Sequence, residues 1–455
     1  MKRKNTYRTV PVQDVRLSEY LPMLMAGCIV ALDVAKTKFV AALATWAGET
    51  LKLIRFDHPV DTRAFLALVE EIHRNVDASK VRVVMEPTST YGDAIRYQLQ
   101  ARGVSVSLMP TKKTHDAAEV FDGVPSMHDP KASVVIARLA GQGLGTEWPV
   151  DCESRRKLRA LVDRRRYEMD HRERCYGRIE AMLAKHWPEF QSSLDMRQQE
   201  SAAVLLRAYP SPARVSVDEE GARGLLKKAS CSQLSGTRID EVVARAKSSL
   251  GVPMYEQEEE LLKRLVSQVK DADAAMDGFD DEALAIAACN EAFARLAKFL
   301  GVYSAAVIVT HVDPMRATNA KQFEKACGLN LRHHSSGEHV GRLSITKRGP
   351  GLVRQVLYFA ALRLIHKFPV ARAWCSRRKE YGERSKMRAN VALMRKLARA
   401  IFHVARGAEF DPTKLFDVRR LKLERPSEES LRSEGAARTA PPFAPSLRCE
   451  ASTSP

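Results

Sequence analysis

Three strand-like runs follow one another within thirty residues: "CIVALD" (28–33), "KFVAALAT" (38–45) and "TLKLIRFD" (50–57). The gaps between them are short, which suggests that the runs pair as antiparallel neighbours. "DTRAFLALVEEIHRNV" then has helical spacing at Phe65, Leu68, Val69 and Ile72, with Asp61 placed as N-cap. "KVRVVME" (80–86) returns to a strand, "YGDAIRYQLQARG" to a helix ending at Gly103, and "VSVSLM" to another strand. The order βββαβαβ predicts an α/β domain in which the helical crossover lays the fourth strand parallel to the first.

That topology gives two acids a common address. Asp33 and Glu86 both fall at carboxyl ends of predicted strands, where open α/β sheets build their sites. Taken singly, each also fits a strand-ending turn. Brought together they repel and raise each other's pKa unless a divalent cation bridges them, and hard carboxylate oxygens suit Mg²⁺ or Mn²⁺. A third acid opens "DPKASVVIARLA": Asp129 before Pro130 reads as an N-cap and first helical residue. Ala132 then lies about one turn along on roughly the same face, where an acid would join a metal site and alanine cannot.

Beyond residue 150 the chain becomes helical and basic. Its 455 residues suffice for two or three domains, and a formal charge of +18 with 45% hydrophobic residues describes a folded protein suited to polyanionic partners. Arg164, Arg165, Arg166, Arg172, Arg174 and Arg178 lie in "ESRRKLRALVDRRRYEMDHRERCYGRIEAMLAKHW" and predict a phosphate-contacting face, the alternative being a solvated helix surface. Leu262, Leu265, Val269, Ala272 and Met276 form a short a/d seam, read as an oligomerisation helix with packing inside the monomer as the competing role. Eight scattered cysteines without a CxxC pair indicate neither a disulfide framework nor a zinc site, and predict a reducing, cytoplasmic setting. No run is long and apolar enough for a membrane span. "SSGEHVGRLSITKRGPG" is a polar, glycine-rich loop leading to a helix, able to approach a phosphate closely, with Lys347 and Arg348 adding positive charge; its Ser335-Ser336-Gly337 run, taken alone, is an ordinary flexible loop. The last stretch, rich in Pro, Ser and Ala, is expected to be disordered.

The segments "ALDVAKTKF", "MEPTSTYGDAIRYQLQARGVSVSLMPTKKTHDAA" and "HDPKASVVIARLA" resemble the N-terminal, RuvC-like domain of the IS110 family of transposases. The stretch from "FLGVYSAAVIVTHVDP" through "SSGEHVGRLSITKRGPGLVRQVLYFAALRLI" resembles that family's C-terminal transposase domain, and the likeness spans roughly residues 27–417. It implies a ribonuclease H-like (RuvC-like) fold with an Asp, Glu, Asp, Asp set whose first three members fall on Asp33, Glu86 and Asp129. The fourth falls on Ala132, a departure that raises impaired catalysis. By the same resemblance Ser336 is the nucleophile, Mg²⁺ the cofactor, and DNA (element ends and target), a structured guide RNA and further copies of the chain the partners, in a bacterial cytoplasm near the nucleoid. The expected organisation is a leader (1–26), a RuvC-like domain (27–150), a basic helical and coiled-coil region (151–290), a C-terminal transposase domain starting like a helix-hairpin-helix at Gly301 (291–417), and a disordered tail (418–455). Competing functions are a metal-dependent nuclease or junction resolvase, and a nucleic-acid-binding descendant without catalysis.

Overall fold

Seven strands form one mixed sheet: β1 (Thr9–Pro11), β2 (Cys28–Asp33), β3 (Lys38–Thr45), β4 (Thr50–Asp57), β5 (Val81–Met85), β6 (Ser105–Leu108) and β7 (Thr146–Glu147), in the order β1-β4-β3-β2-β5-β6-β7. The computed structural model describes residues 7–333, 343–379, 383–417 and 421. β2, β3 and β4 form the expected antiparallel meander, and β5 lies parallel to β2. The period of two sorts side chains between two cores. Cys28, Val30 and Leu32 join Val81, Val83 and Met85 under helices α2 (Thr62–Asn75) and α3 (Asp93–Ala101). Ile29, Ala31, Ala42, Ala44 and Val84 face the opposite way, under Val135, Ile136 and Leu139 of the helix Asp129–Gly141.

Of residues 1–26, expected as a leader, the described ones, 7–26, belong to this unit. β1 runs parallel to β4, and Val12, Leu17 and Leu24 are buried in the first core, the last in the short helix α1 (Leu21–Leu24). A three-residue strand carries too little periodicity to be read, and β7 escaped notice for the same reason. Asp61 does precede α2, but its side chain makes no cap bond. Its carboxylate instead accepts from the Asp57 backbone N–H at 3.0 Å and from Gln13 Nε2 at 2.6 Å, so the preceding turn has claimed it.

The chain divides into two compact units, Met1–Asp151 and Cys152–Pro455. Helices α4 (Thr111–Ala117) and α5 (Asp129–Gly141) complete the first. The second opens with the 34-residue α6 (Glu153–His186), whose two halves serve different cores. Cys175, Ile179 and Leu183 pack with helices α7 (Phe190–Ser193), α8 (Glu200–Ala208), α9 (Pro212–Val217), α10 (Glu219–Ala229), α11 (Gly236–Lys247) and α12 (Glu256–Met276). Leu158, Leu161 and Val162 pack with the C-terminal helices, beginning with α13 (Phe279–Ile286), α14 (Glu291–Leu300) and α15 (Val302–His311). The C-terminal core therefore takes in α13 and the start of α6 as well as residues beyond 290.

The a/d seam is spent inside the chain. α12 lies antiparallel along α6, fixed by Arg172–Asp273 at 2.8 Å near one end and Lys185–Glu258 at 2.9 Å near the other. Leu262, Leu265 and Val269 are buried in the core it shares with α6. This corrects the oligomerisation role expected of these residues: the spacing identified an apolar stripe, and α6 is the partner that covers it.

Candidate active site

The parallel register of β2 and β5 runs from Cys28↔Val81 to Leu32↔Met85. The next step places Asp33 beside Glu86, with neighbouring strands about 4.8 Å apart. Both continue the rows that face α5: Asp33 follows Ile29 and Ala31, and Glu86 follows Val84. Asp129 is the first residue of α5, and the helix is pinned at this level by Ser133. The Ser133 hydroxyl, fully buried, lies 3.0 Å from the carbonyl oxygen of Val40, the residue paired with Asp33 across β3, and 3.0 Å from the Asp129 carbonyl oxygen. Gly92 closes the turn after Glu86 against Met85 and Val34, and a Cβ there would come within 2.7 Å of Met85.

The electrostatics agree with this placement. Burial first, then the charges of Asp129 and Glu86, push the Asp33 carboxyl up from its ordinary 3.8 to about 7, against a backbone hydrogen bond at Val34 that lowers it. The charges of Asp129 and of the buried Glu86 therefore reach Asp33 at one end of the sheet. Hard oxygen donors crowded in this way suit Mg²⁺ or Mn²⁺. Among the described residues no group of three or more His, Cys, Asp or Glu side chains is arranged to hold a metal ion. Ala132 is 7% exposed, close under the same helix turn.

Asp129 was expected to cap α5. The cap is His128, in extended backbone (φ −150°, ψ 158°), whose Nδ1 accepts from the Lys131 N–H at 3.3 Å. Asp129 is thus relieved of the capping duty. Its neighbour Lys131 is 2% exposed and donates to Asp122 Oδ1 at 2.8 Å and to the Val124 carbonyl at 2.6 Å. Asp122 also accepts from the Tyr7 hydroxyl at 2.7 Å, and these hydrogen bonds hold its carboxyl down to about 2. Asp122 is thus committed to this network and does not stand in for the acid that alanine replaces at position 132. Asp116, the other conceivable replacement, pairs with Lys112 at 2.9 Å on the surface of α4. Ser133, Lys131 and His128 were missed from sequence; a serine and a lysine inside an otherwise apolar helix face were the available signal.

In the second unit, Ser335 and Ser336 lie outside the described residues, as do His334 and His339. Their flanks are built: strands β8 (Leu331–Arg332) and β9 (Ser344–Ile345) pair antiparallel. Below them Thr346 N–H donates to the Asn330 carbonyl at 2.9 Å and Lys347 N–H to the Gly328 carbonyl at 3.0 Å. Gly349 is pressed against this base so closely that a Cβ would come within 2.4 Å of the Ala326 carbonyl oxygen. Lys347, at φ +55°, and Arg348 are exposed beside it.

Comparison with known protein families accounts for both parts. Residues 30–188 match the DEDD-type IS110 domain model described as a transposase, and residues 298–375 match the model of the transposase IS116/IS110/IS902 family. The chain belongs to the IS110 transposase family. Its domains are those of a DNA transposase, with the mixed sheet of a ribonuclease H-like domain followed by a mostly helical remainder. A search of the curated proteins finds no match. Among the described residues no helix is long and apolar enough to cross a membrane.

Within this transposase the expected arginine face of α6 is divided. Arg165 turns inward: burial lowers its pKa, and its guanidinium lies 4.4 Å from the Tyr303 ring centroid and 5.1 Å from that of Phe279. Arg172 is bound to Asp273. Arg164 is half-exposed but paired with Glu282 at 2.5 Å, and Arg166 reaches Asp170 at 3.6 Å. The four are therefore not one open phosphate face, because a helix turns each successive residue by about 100°. Gly301, at φ +87°, does separate α14 from α15, while Tyr303 is packed against Phe279.

Proposed function

We propose that this transposase cuts and rejoins DNA through a serine nucleophile, Ser336, and a metal-binding site formed by Asp33, Glu86 and Asp129, with a structured guide RNA bringing donor and target together and several copies of the chain assembling on them. The observation that carries the acidic part is the approach of Asp129 and Glu86 to the Asp33 carboxyl, whose charges add to the larger effect of burial in pushing Asp33 up to about 7. Magnesium or manganese bound there supplies charge neutralisation and Lewis-acid stabilisation at the phosphodiester oxygens. The chain's own contribution is the scaffold. Neighbouring strands align Asp33 and Glu86, and Ser133 seats the first turn of α5 so that Asp129 faces them. In the serine step, Oγ of Ser336 bonds to phosphorus while the strand's ester oxygen leaves with a proton, and the serine proton passes to a base; attack by a second strand's hydroxyl reverses the exchange. The family membership and the structured base of the serine loop support this role.

A strand-transfer assay with the element's ends and its adjoining noncoding RNA tests it. Asp33→Asn and Ser336→Ala should each abolish joining, with Ser336→Ala also losing the covalent protein–DNA adduct. Retained metal-dependent hydrolysis in Ser336→Ala would favour a nuclease or resolvase. Undiminished joining without the RNA would remove the guide.

A further inference from the structure

One flank of α6 has a composition that cutting and joining do not use. Tyr167, His171, Arg174 and Arg178 follow at spacings of four, three and four, which places them along one side of the helix. Tyr167 is 62% exposed, and its ring lies 4° from parallel to that of His171, with centroids 6.3 Å apart. Arg174 and Arg178 are exposed beyond them. Glu173 and Glu180 lie on the other flank, both held by Arg197, at 2.8 and 3.2 Å, while Asp170, beside the Tyr167 flank, reaches Arg166 at 3.6 Å. The side between the flanks is buried through Cys175, Ile179 and Leu183. Both ends of the helix are fixed, by Arg155–Asp313 at 2.8 Å and by Lys185–Glu258 at 2.9 Å, so the flank is presented on a rigid support.

We propose that this flank binds a stretch of nucleic acid with unpaired bases. A base stacks on the open face of Tyr167, which His171 backs from below, and successive phosphates meet Arg174 and Arg178, one helical turn or about 6 Å apart along the axis. A duplex offers no free base face to a ring on a helix surface, so it gains only the two charges. The inference rests on the nucleic-acid function proposed above and names the strand form that this flank takes.

The test uses the full chain and fluorescence anisotropy with oligo(dT), oligo(U) and duplex DNA at several salt concentrations. Tyr167→Ala should weaken single-strand binding by about 5- to 100-fold, leave duplex binding within about twofold, and be rescued by Tyr167→Phe, which keeps the stacking face. Arg174→Gln with Arg178→Gln should flatten the single-strand salt dependence by about 1.4 in log–log slope. The oligonucleotide whose binding falls more identifies DNA or RNA as the occupant. Tyr167→Ala binding single strands like the wild type, or losing duplex in equal measure, overturns the platform while the transposase function stands. Wild-type protein that binds neither single strand nor duplex overturns both.

Discussion

Burying the Asp33 carboxyl beside two other acids carries a cost that the proposed cation would offset. In the folded chain this carboxyl loses its proton near pH 7, whereas in the unfolded chain it does so near 3.8. Between those values the unfolded state holds fewer protons, so the metal-free stability of the first unit should fall as pH rises through the window, then level off. Thermal unfolding in chelator should show this fall, Asp33→Asn should remove most of it, and Mg²⁺ should raise the melting temperature more at pH 8 than at pH 5. An unchanged pH slope in Asp33→Asn would place the effect elsewhere. The same reasoning governs Ala132→Asp: at a position 7% exposed, a further carboxylate adds repulsion without metal and a ligand with it. The variant should melt earlier in chelator yet bind Mg²⁺ more tightly by calorimetry and gain strand-transfer activity; a wild type already fully active and unimproved would mean that three acids suffice. Asp33 and Glu86 were legible because a strand end is visible in a hydrophobic run. The true cap of α5 was not, since Asp-Pro fits either of the first helical positions and only the extended backbone at His128 decides between them.

Helices of the second unit are held by contacts whose partners have no sequence signature. Leu265 is 2% exposed between α12 and α6, so Leu265→Ala should destabilise this unit by about 2–5 kcal/mol, measured by denaturant unfolding, without changing the oligomeric state seen in sedimentation. Dissociation of an assembly instead would restore the intermolecular role of the seam. Arg165, sandwiched toward Phe279 and Tyr303, should behave as a packing residue: Arg165→Ala should cost about 1–3 kcal/mol of stability and leave the salt dependence of DNA binding nearly unchanged. Composition correctly marked α6 as basic. Periodicity could tell which residues share a face, but not whether that face meets solvent, nucleic acid or another helix, because the covering elements come from residues a hundred positions away, as with Arg172 and Asp273.

At the level of the whole chain, the division at Asp151 predicts two unfolding events in calorimetry. Mg²⁺ should raise only the one that Asp33→Asn alters, because a ligand stabilises the unit that binds it. A single transition moved as a whole would mean that the two units unfold cooperatively. The α/β order, the acid positions and the helical second half were readable because they repeat a pattern over many residues. β1 was not, and its pairing has a consequence in time. Thr9–Pro11 leave the ribosome well before Leu53–Arg55, the β4 residues they pair with. At about 5–20 residues per second the delay is on the order of seconds. During that interval the first strand lacks its β4 partner, and when it docks it covers the outer edge of β4, so the earliest-made strand has to wait for one made later. A chain begun after Pro11 would skip the wait and leave that edge open to other chains during synthesis, with self-association as the expected result.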